Sequence, residues 1–463
     1  MDPVVAAMYS WVDTHQDEIL DSYRAMLRIP SLEDEAVPNG PFGQANRDAL
    51  DLALKWCADA GMKTTDLEGY IGYGEIGSGE NLVAAFGHLD VVPVGPGWKH
   101  EPFGAEIDGE YVYARGAIDD KGPSVAAFFA CRALMECFPN LKSRVRMVFG
   151  CNEESGFGCI EHYAKVDEHP TYGFAPDAGW PLIHAEKGIA NFVISRALPG
   201  KDLMLKSIKG GQRPNIVIDS CDAIVGVSPS VRAEIETKVS ENWDRNLTCE
   251  WHGDDLHISA IGKAAHGSWP WGGDNAAIRI FRFLMEIAPV HEKNAYEVLF
   301  DATHIAGSGI GIDGRDDITN LTCNLGILWT EGGRLKLLFN VRYPVTWKGE
   351  EMRARCEKFL ADDLAGAYVI DSFEDSPSLY FPLEHPLVKV VCDVYARESG
   401  ETKKPGVMGG GTYARAVSNT VAIGTGWEGD GDAHQTDERC KISSIYRMTK
   451  LYAEILYRLS ELG

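Results

Sequence analysis

The chain has 463 residues, of which 68 are acidic and 44 basic, giving a net charge of −24. A chain this long exceeds one ordinary core, so two domains are expected, and 45% hydrophobic with 24% charged residues is a globular composition. A field this negative, with no basic run against it, repels nucleic acid and anionic membrane; the remaining acidity reads as solvated surface.

In chain order, a helical stripe of Val5, Met8, Trp11, Ile19, Tyr23 and Leu27 predicts one helix over Val4–Leu27, and a second fits Ala45–Ala60. Apolar runs at Asn81–Phe86, Tyr111–Ala114, Val145–Gly150 and Tyr172–Ala175 read as strands, with helices at Pro123–Cys137 and Cys159–Val166 between them. Strands alternating with helices, each strand ending in Gly or an acid, predict an α/β sheet with working residues at the carboxyl ends of its strands. The texture changes near Gly188. An extended pair (Ile183–Arg196), a helix pair (Asp219–Ser240), a strand pair through Leu256–Ile261 and a helix at Asn275–Ile287 come next. A hairpin of Leu321–Trp329 and Arg334–Arg342 turns at Glu331-Gly332-Gly333, and a helix fits Glu350–Ala365. The first texture returns with a helix at Pro386–Glu398, a Gly409-Gly410-Gly411 turn, a strand at Val421–Ile423 and a last helix from Ile445. The expected architecture is a catalytic α/β domain with a mixed sheet flanked by helices, over 1–187 and 381–463. An α+β lid or substrate-binding domain over 188–380 interrupts it.

Eleven cysteines fall singly, without a CxxC pair, in apolar patterns. That argues for reduced, mostly buried thiols in a cytoplasmic protein rather than a disulfide framework. The N-terminal Met1-Asp2-Pro3-Val4 lacks the order of a signal peptide. No uncharged apolar stretch approaches the roughly 18 residues of a membrane helix.

Chemistry gathers where strands end. His88 closes Leu82-Val83-Ala84-Ala85-Phe86-Gly87, and Asp90 stands two residues on, as an acceptor beside a ligating imidazole often does. Asp119 and Asp120 share a Gly-flanked turn; they either hold a cation between them or form an Asx-turn or helix cap before Pro123. Glu153 and Glu154 follow the strand that ends at Gly150, as a solvated pair or as ligand and general base. Asp177 ends another apolar run, and His434 lies in Asp432-Ala433-His434-Gln435-Thr436-Asp437. Carboxylates and imidazoles together suit a divalent metal and hydrolysis by activated water.

In these five motifs, taken in order, the chain resembles the co-catalytic metallopeptidases that include aminoacylases, carnosinases and the bacterial PepV-type dipeptidases. The resemblance covers essentially the whole length. It leans to the PepV-like branch through Gly210-Gly211-Gln212-Arg213-Pro214-Asn215, Gly262-Lys263-Ala264-Ala265-His266-Gly267-Ser268, Asn340-Val341-Arg342-Tyr343-Pro344 and Gly409-Gly410-Gly411-Thr412-Tyr413-Ala414-Arg415. The resemblance implies two divalent metal ions per chain, Zn²⁺ first, with Mn²⁺ or Co²⁺ possible. Asp119 would bridge them, His88 and Asp177 would complete one shell, and Glu154 and His434 the other. Glu153 would be the general base, Asp90 would orient His88, and the Asp119–Asp120 bond would be cis. His266, a cationic lid residue, would donate to the tetrahedral oxyanion. Arg342, with Asn215, Gly410 and Thr412, would clamp the terminal carboxylate of a short peptide substrate. A monomer is expected, because the long insertion imitates the partner that shorter relatives recruit.

The chain departs from that branch at Trp269-Pro270-Trp271 and at Ile216-Val217-Ile218-Asp219, both near the expected substrate pocket, which leaves side-chain preference open. Glu428-Gly429-Asp430-Gly431-Asp432 reads as a solvated loop or as a site for an extra cation. A metal-dependent dipeptidase is the leading reading. An aminoacylase or deacylase of the same family and a non-catalytic paralogue stand beside it, though no ligand or base is missing. Gly406–Gly411 does not follow a strand in dinucleotide-binding form.

Overall fold

The computed structural model describes residues 2–362 and 368–462. Two compact units emerge, Met1–Ala185 together with Phe381–Gly463, and Glu186–Tyr380.

The first unit is organised by a mixed sheet. Its strands run, edge inward, Lys63–Leu67, Ile71–Gly77, Arg144–Gly150, Leu82–His88, Tyr172–Ala178, Thr420–Gly424 and Leu182–Glu186. The central four are parallel neighbours, and the outer ones pair antiparallel. Every residue of Leu82–His88 is buried, the pattern of a parallel strand covered on both faces. Helix Lys121–Cys137 packs on that strand and on helices Ile442–Ser460 and Gln16–Leu27, while Gln44–Asp59 covers Lys63–Leu67 and Ile71–Gly77. The carboxyl ends of the parallel strands carry His88, Asp177 and the turns that lead to Glu153 and His434. Gly87, just before His88, runs so close to helix Lys121–Cys137 that an added Cβ would meet Ser124 Oγ at 2.0 Å.

The expected helix Val4–Leu27 is two, Pro3–Thr14 and Gln16–Leu27. They part at His15, whose ring stacks on Trp11 at 3.8 Å and whose Nδ1 reaches the Trp11 carbonyl at 2.7 Å. The apolar stripe continues across the break, which is why periodicity alone does not see it. Tyr111–Tyr113 is a strand, but of a separate three-stranded sheet with Glu106–Asp108 and Arg439–Lys441. Among the described residues no helix is long and apolar enough to cross a membrane.

The second unit holds an antiparallel sheet in the order Leu247–His252, Asp255–Ile261, Ser220–Val227, Leu203–Gly210, Thr322–Glu331, Arg334–Tyr343, Gly188–Ala197, Tyr368–Ser376. Helix Ala276–Ile287, capped by the Asn275 side chain, lies on Ser220–Val227 and Asp255–Ile261. Its core gathers Phe192, Ile194, Leu205, Val225, Ile258, Phe281, Leu337 and Phe339. The expected helix pair over Asp219–Ser240 is corrected: Ser220–Val227 is a strand and only Arg232–Ser240 is helical. Cys221, Ala223, Val225 and Val227 alternate inward, a period of two that outweighs the helical reading. The expected hairpin forms, with Gly332 and Gly333 at φ of 56° and 74° supplying the turn. Of the helix expected at Glu350–Ala365, Gly349–Asp362 is described and its last residues lie outside the described residues.

Candidate metal centre

Asp119 is the pivot of the first unit. Its Oδ1 lies 3.1 Å from His88 Nε2 and its Oδ2 lies 3.0 Å from His434 Nε2. One carboxylate therefore faces two imidazoles from opposite sides. Glu154 Oε1 sits 3.1 Å from the same His434 nitrogen. The result is two candidate ligand sets that share Asp119, namely His88–Asp119–Asp177 and Asp119–Glu154–His434, each with its donor atoms within 4.8 Å of one another.

The Asp119–Asp120 peptide is cis, and the two carboxylates part. Asp120 turns inward, where its Oδ2 accepts from the His88 amide at 3.0 Å and from Ser124 Oγ at 3.2 Å. Its side chain makes no capping bond to helix Lys121–Cys137, so the cap reading of this pair fails. Burial pushes Asp120 well above the usual carboxylate range. Its job is to brace the His88 backbone.

Asp90 does more than face His88. Its carbonyl lies 3.0 Å from His88 Nδ1, but its carboxylate accepts the Glu153 and Glu154 amides, each at 3.0 Å. It therefore fixes the turn that carries both glutamates. Burial, reinforced by Asp177, pushes the Glu153 carboxyl well above its ordinary range. Asp119 is held low despite its burial, by hydrogen bonds from His434 and His88. Those same contacts lift His434 to about 10, through Asp119 and then Glu154. Each imidazole is thus drawn toward a positive charge that its carboxylate neighbours demand. Five His, Asp and Glu donors without a thiolate, in a cluster this short of cationic charge, fit divalent first-row ions.

All eleven cysteines are free and none joins either set. Beside Asp119 and Asp177 opens a cavity of about 370 Å³ walled by Ile118, Thr425, Trp427 and Asp432. Asp430 leaves little for an extra cation, since its carboxylate accepts from the Trp427 and Lys441 amides and from Ser444 Oγ. Gly410 and Thr412 lie in this unit; Thr412 is buried and its Oγ1 accepts from the Ala414 amide at 3.2 Å.

The second unit brings the other expected residues near one another. His266 and Asn215 meet where the Gly267 amide donates to the Asn215 carbonyl at 2.7 Å. Arg342 is buried and donates from Nε to Asn340 Oδ1 at 3.1 Å. Burial and then the Arg342 charge lower the proton affinity of His266. Its Nδ1 accepts from the Ser268 amide and faces Ser268 Oγ at 2.6 Å, which leaves Nε2 as the N–H donor. Trp269, Trp271 and Ile216 are exposed. A further cluster in this unit, Asp202–His291–Glu292, is a loop clamp, because Glu292 accepts the amides of Lys201, Asp202 and Leu203.

Sequence reasoning passed over two buried charges of the first unit, Arg115 and Glu438. Each had a signal, since Arg115 stands four residues before Asp119 and Glu438 four residues after His434.

Residues 84–458 match the peptidase family M20/M25/M40. The chain belongs to this family. The resemblance read from the five motifs is thereby borne out, and the chain is a peptidase by family. Among its relatives, "Putative dipeptidase YtjP" of Bacillus subtilis is 35% identical over 466 residues, covering 96% of this chain and 98% of its own. In fold the chain is similar to the dipeptidase Dug1p of Saccharomyces cerevisiae, with a TM-score of 0.56, 15% identity, and coverage of 100% of this chain and 99% of that one. It is also similar to human carnosine dipeptidase 1, with a TM-score of 0.54, 15% identity, and coverage of 99% and 100%. The mixed α/β architecture expected from the sequence is the one these structures share.

Proposed function

We propose that the chain is a metal-dependent dipeptidase that holds two divalent ions, Zn²⁺ in preference to Mn²⁺ or Co²⁺, and cleaves dipeptides with a free C-terminal carboxylate. The observation that carries this reading is Asp119, one carboxylate set between the imidazoles of His88 and His434. His88, Asp119 and Asp177 would hold one ion, and Asp119, Glu154 and His434 the other. Ions held there supply Lewis-acid stabilisation of the charge that develops on the scissile carbonyl oxygen.

The chain's own groups do the rest. Glu153 takes the proton of the attacking water on a carboxylate oxygen and passes it to the leaving amine. Asp90 keeps it in place through the Glu153 amide. Arg342, with Asn215 and the Gly410–Thr412 loop, is assigned to the substrate's free carboxylate, where a guanidinium offers a two-pronged donor. His266, with its proton on Nε2, is assigned to the carbonyl oxygen as it becomes an oxyanion. We assign the protein to the cytoplasm as a monomer; its free cysteines support the first assignment, and light scattering checks the second.

The decisive experiment strips the purified protein with a chelator, reconstitutes it with Zn²⁺, Mn²⁺ or Co²⁺, and assays dipeptides, tripeptides and N-acyl amino acids. Metal-restored hydrolysis of dipeptides is expected. Turnover confined to N-acyl amino acids would make the chain an aminoacylase, and no turnover with any metal would leave a non-catalytic paralogue.

A further inference from the structure

Arg115 and Glu438 form an ion pair whose side chains are only 1% and 0% exposed, with Nη1 and Oε2 2.6 Å apart. Burying both charges is unfavourable unless their remaining donors and acceptors are also used. Here Arg115 Nε has no partner, but the other donors and acceptors are used on backbone at and beside the metal centre. Glu438 Oε1 accepts the amides of Ile118 at 3.0 Å and Asp119 at 3.3 Å. Arg115 Nη1 donates to the Gln435 carbonyl at 3.2 Å, and Nη2 reaches the carbonyls of Pro93 and Val94 at 3.4 Å each and of His434 at 3.5 Å. The Trp98 ring, 5.2 Å from the guanidinium carbon, closes one side.

One pair thus ties the Asp119 turn to the His434 loop. That loop needs tying, because His434 and Asp437 adopt φ of 64° and 55°, a left-handed backbone that non-glycine residues hold only when their surroundings impose it. We propose that Arg115 and Glu438 are positioning residues that set the distance from Asp119 to His434 and so govern affinity for the second ion. This rests on reading Asp119, Glu154 and His434 as ligands.

The test titrates the metal-free full chain with Co²⁺ and follows its visible absorption, without substrate. In Glu438→Gln the new amide N–H₂ opposes the guanidinium. The first ion is expected to bind as in the natural chain, while the second weakens about 10- to 100-fold, the usual effect of losing a partner behind a ligand, and its absorption band shifts. In the same variant kcat should fall with KM for a dipeptide little changed. Arg115→Lys keeps the charge but not the carbonyl bonds, and should lose less. Should either single variant fail to fold, the neutral double variant Arg115→Met with Glu438→Leu leaves no unpaired charge and should lose the second ion as strongly. Two ions bound with natural affinity by the double variant, or equal weakening of both ions with unshifted bands, would overturn the inference alone. A natural chain that takes only one ion would overturn the ligand reading as well.

Discussion

The two ligand sets share Asp119 but are built differently. In His88–Asp119–Asp177 the outer ligands lie on neighbouring parallel strands, and His88 is buried at the end of its strand. The two strands pair as far as Ala85 and Phe174, three residues before each ligand, so the sheet sends both side chains to the same end. In Asp119–Glu154–His434 both outer ligands stand on turns beyond the strands, and the His434 side chain is 49% exposed. Side-chain tethers hold that second set in place: Asp90 beneath the Glu154 amide and Arg115 on the His434 carbonyl. Preorganisation by a sheet is insensitive to single side chains, whereas preorganisation by tethers can be undone one tether at a time.

The largest effect should come from a residue that belongs to neither set. Glu153→Gln removes the proposed base without touching a proposed ligand, so metal analysis should still find both ions while kcat falls by roughly 10²- to 10⁴-fold or more. Loss of an ion in this variant would make Glu153 a ligand and erase the boundary between the two sets. Next in size is the ligand pair itself. His434→Ala should leave one ion bound through the strand-borne set, and His88→Ala should abolish tight binding there, both read by metal content after gel filtration. Graded dialysis of the natural chain against chelator should likewise release the His434 ion first. Simultaneous release would mean that Asp119 couples the sets more strongly than their scaffolds distinguish them.

The same division explains what could be read from the sequence. Strand-borne ligands announce themselves, because a buried apolar run that stops at His88 or Asp177 is visible as pattern. His434 was legible only by family resemblance, and nothing local marked its left-handed backbone. Asp90 was read as a partner of His88, but its hold on the Glu153 and Glu154 amides depends on register between strands far apart in sequence. Arg115 and Glu438 escaped because an isolated charge reads as solvated surface until the fold buries it. The strand Ser220–Val227 reads as helix in sequence because its apolar residues satisfy either period over so short a window. The lowered proton affinity of His266 follows from burial and then from Arg342, surroundings supplied by tertiary structure alone.

A smaller effect is expected at Asp437, and it probes the tethered set without touching a ligand or the Arg115–Glu438 pair. The Asp437 Oδ1 accepts the amides of Lys99 at 2.9 Å and His100 at 3.2 Å, which pins the far side of the His434 loop. Asp437→Asn keeps one carbonyl acceptor in the same position, so it should hold both ions nearly as the natural chain does. Asp437→Ala leaves two amides to solvent, and the loop loses an anchor at a residue that itself sits at positive φ. The second ion should then bind less than about tenfold more weakly, because Arg115 still holds the His434 carbonyl from the other side. The counterpart on the sheet is Ser124→Ala, which removes the hydroxyl that lies 3.2 Å from the His88 carbonyl. Strand pairing already fixes His88, so this change should lower stability by about 1 kcal/mol and leave the affinity of both ions unchanged. Thermal unfolding of each metal-free variant, set beside its Co²⁺ titration, separates the two results. If Ser124→Ala weakens an ion while Asp437→Ala does not, the sheet is the fragile scaffold and the comparison is reversed.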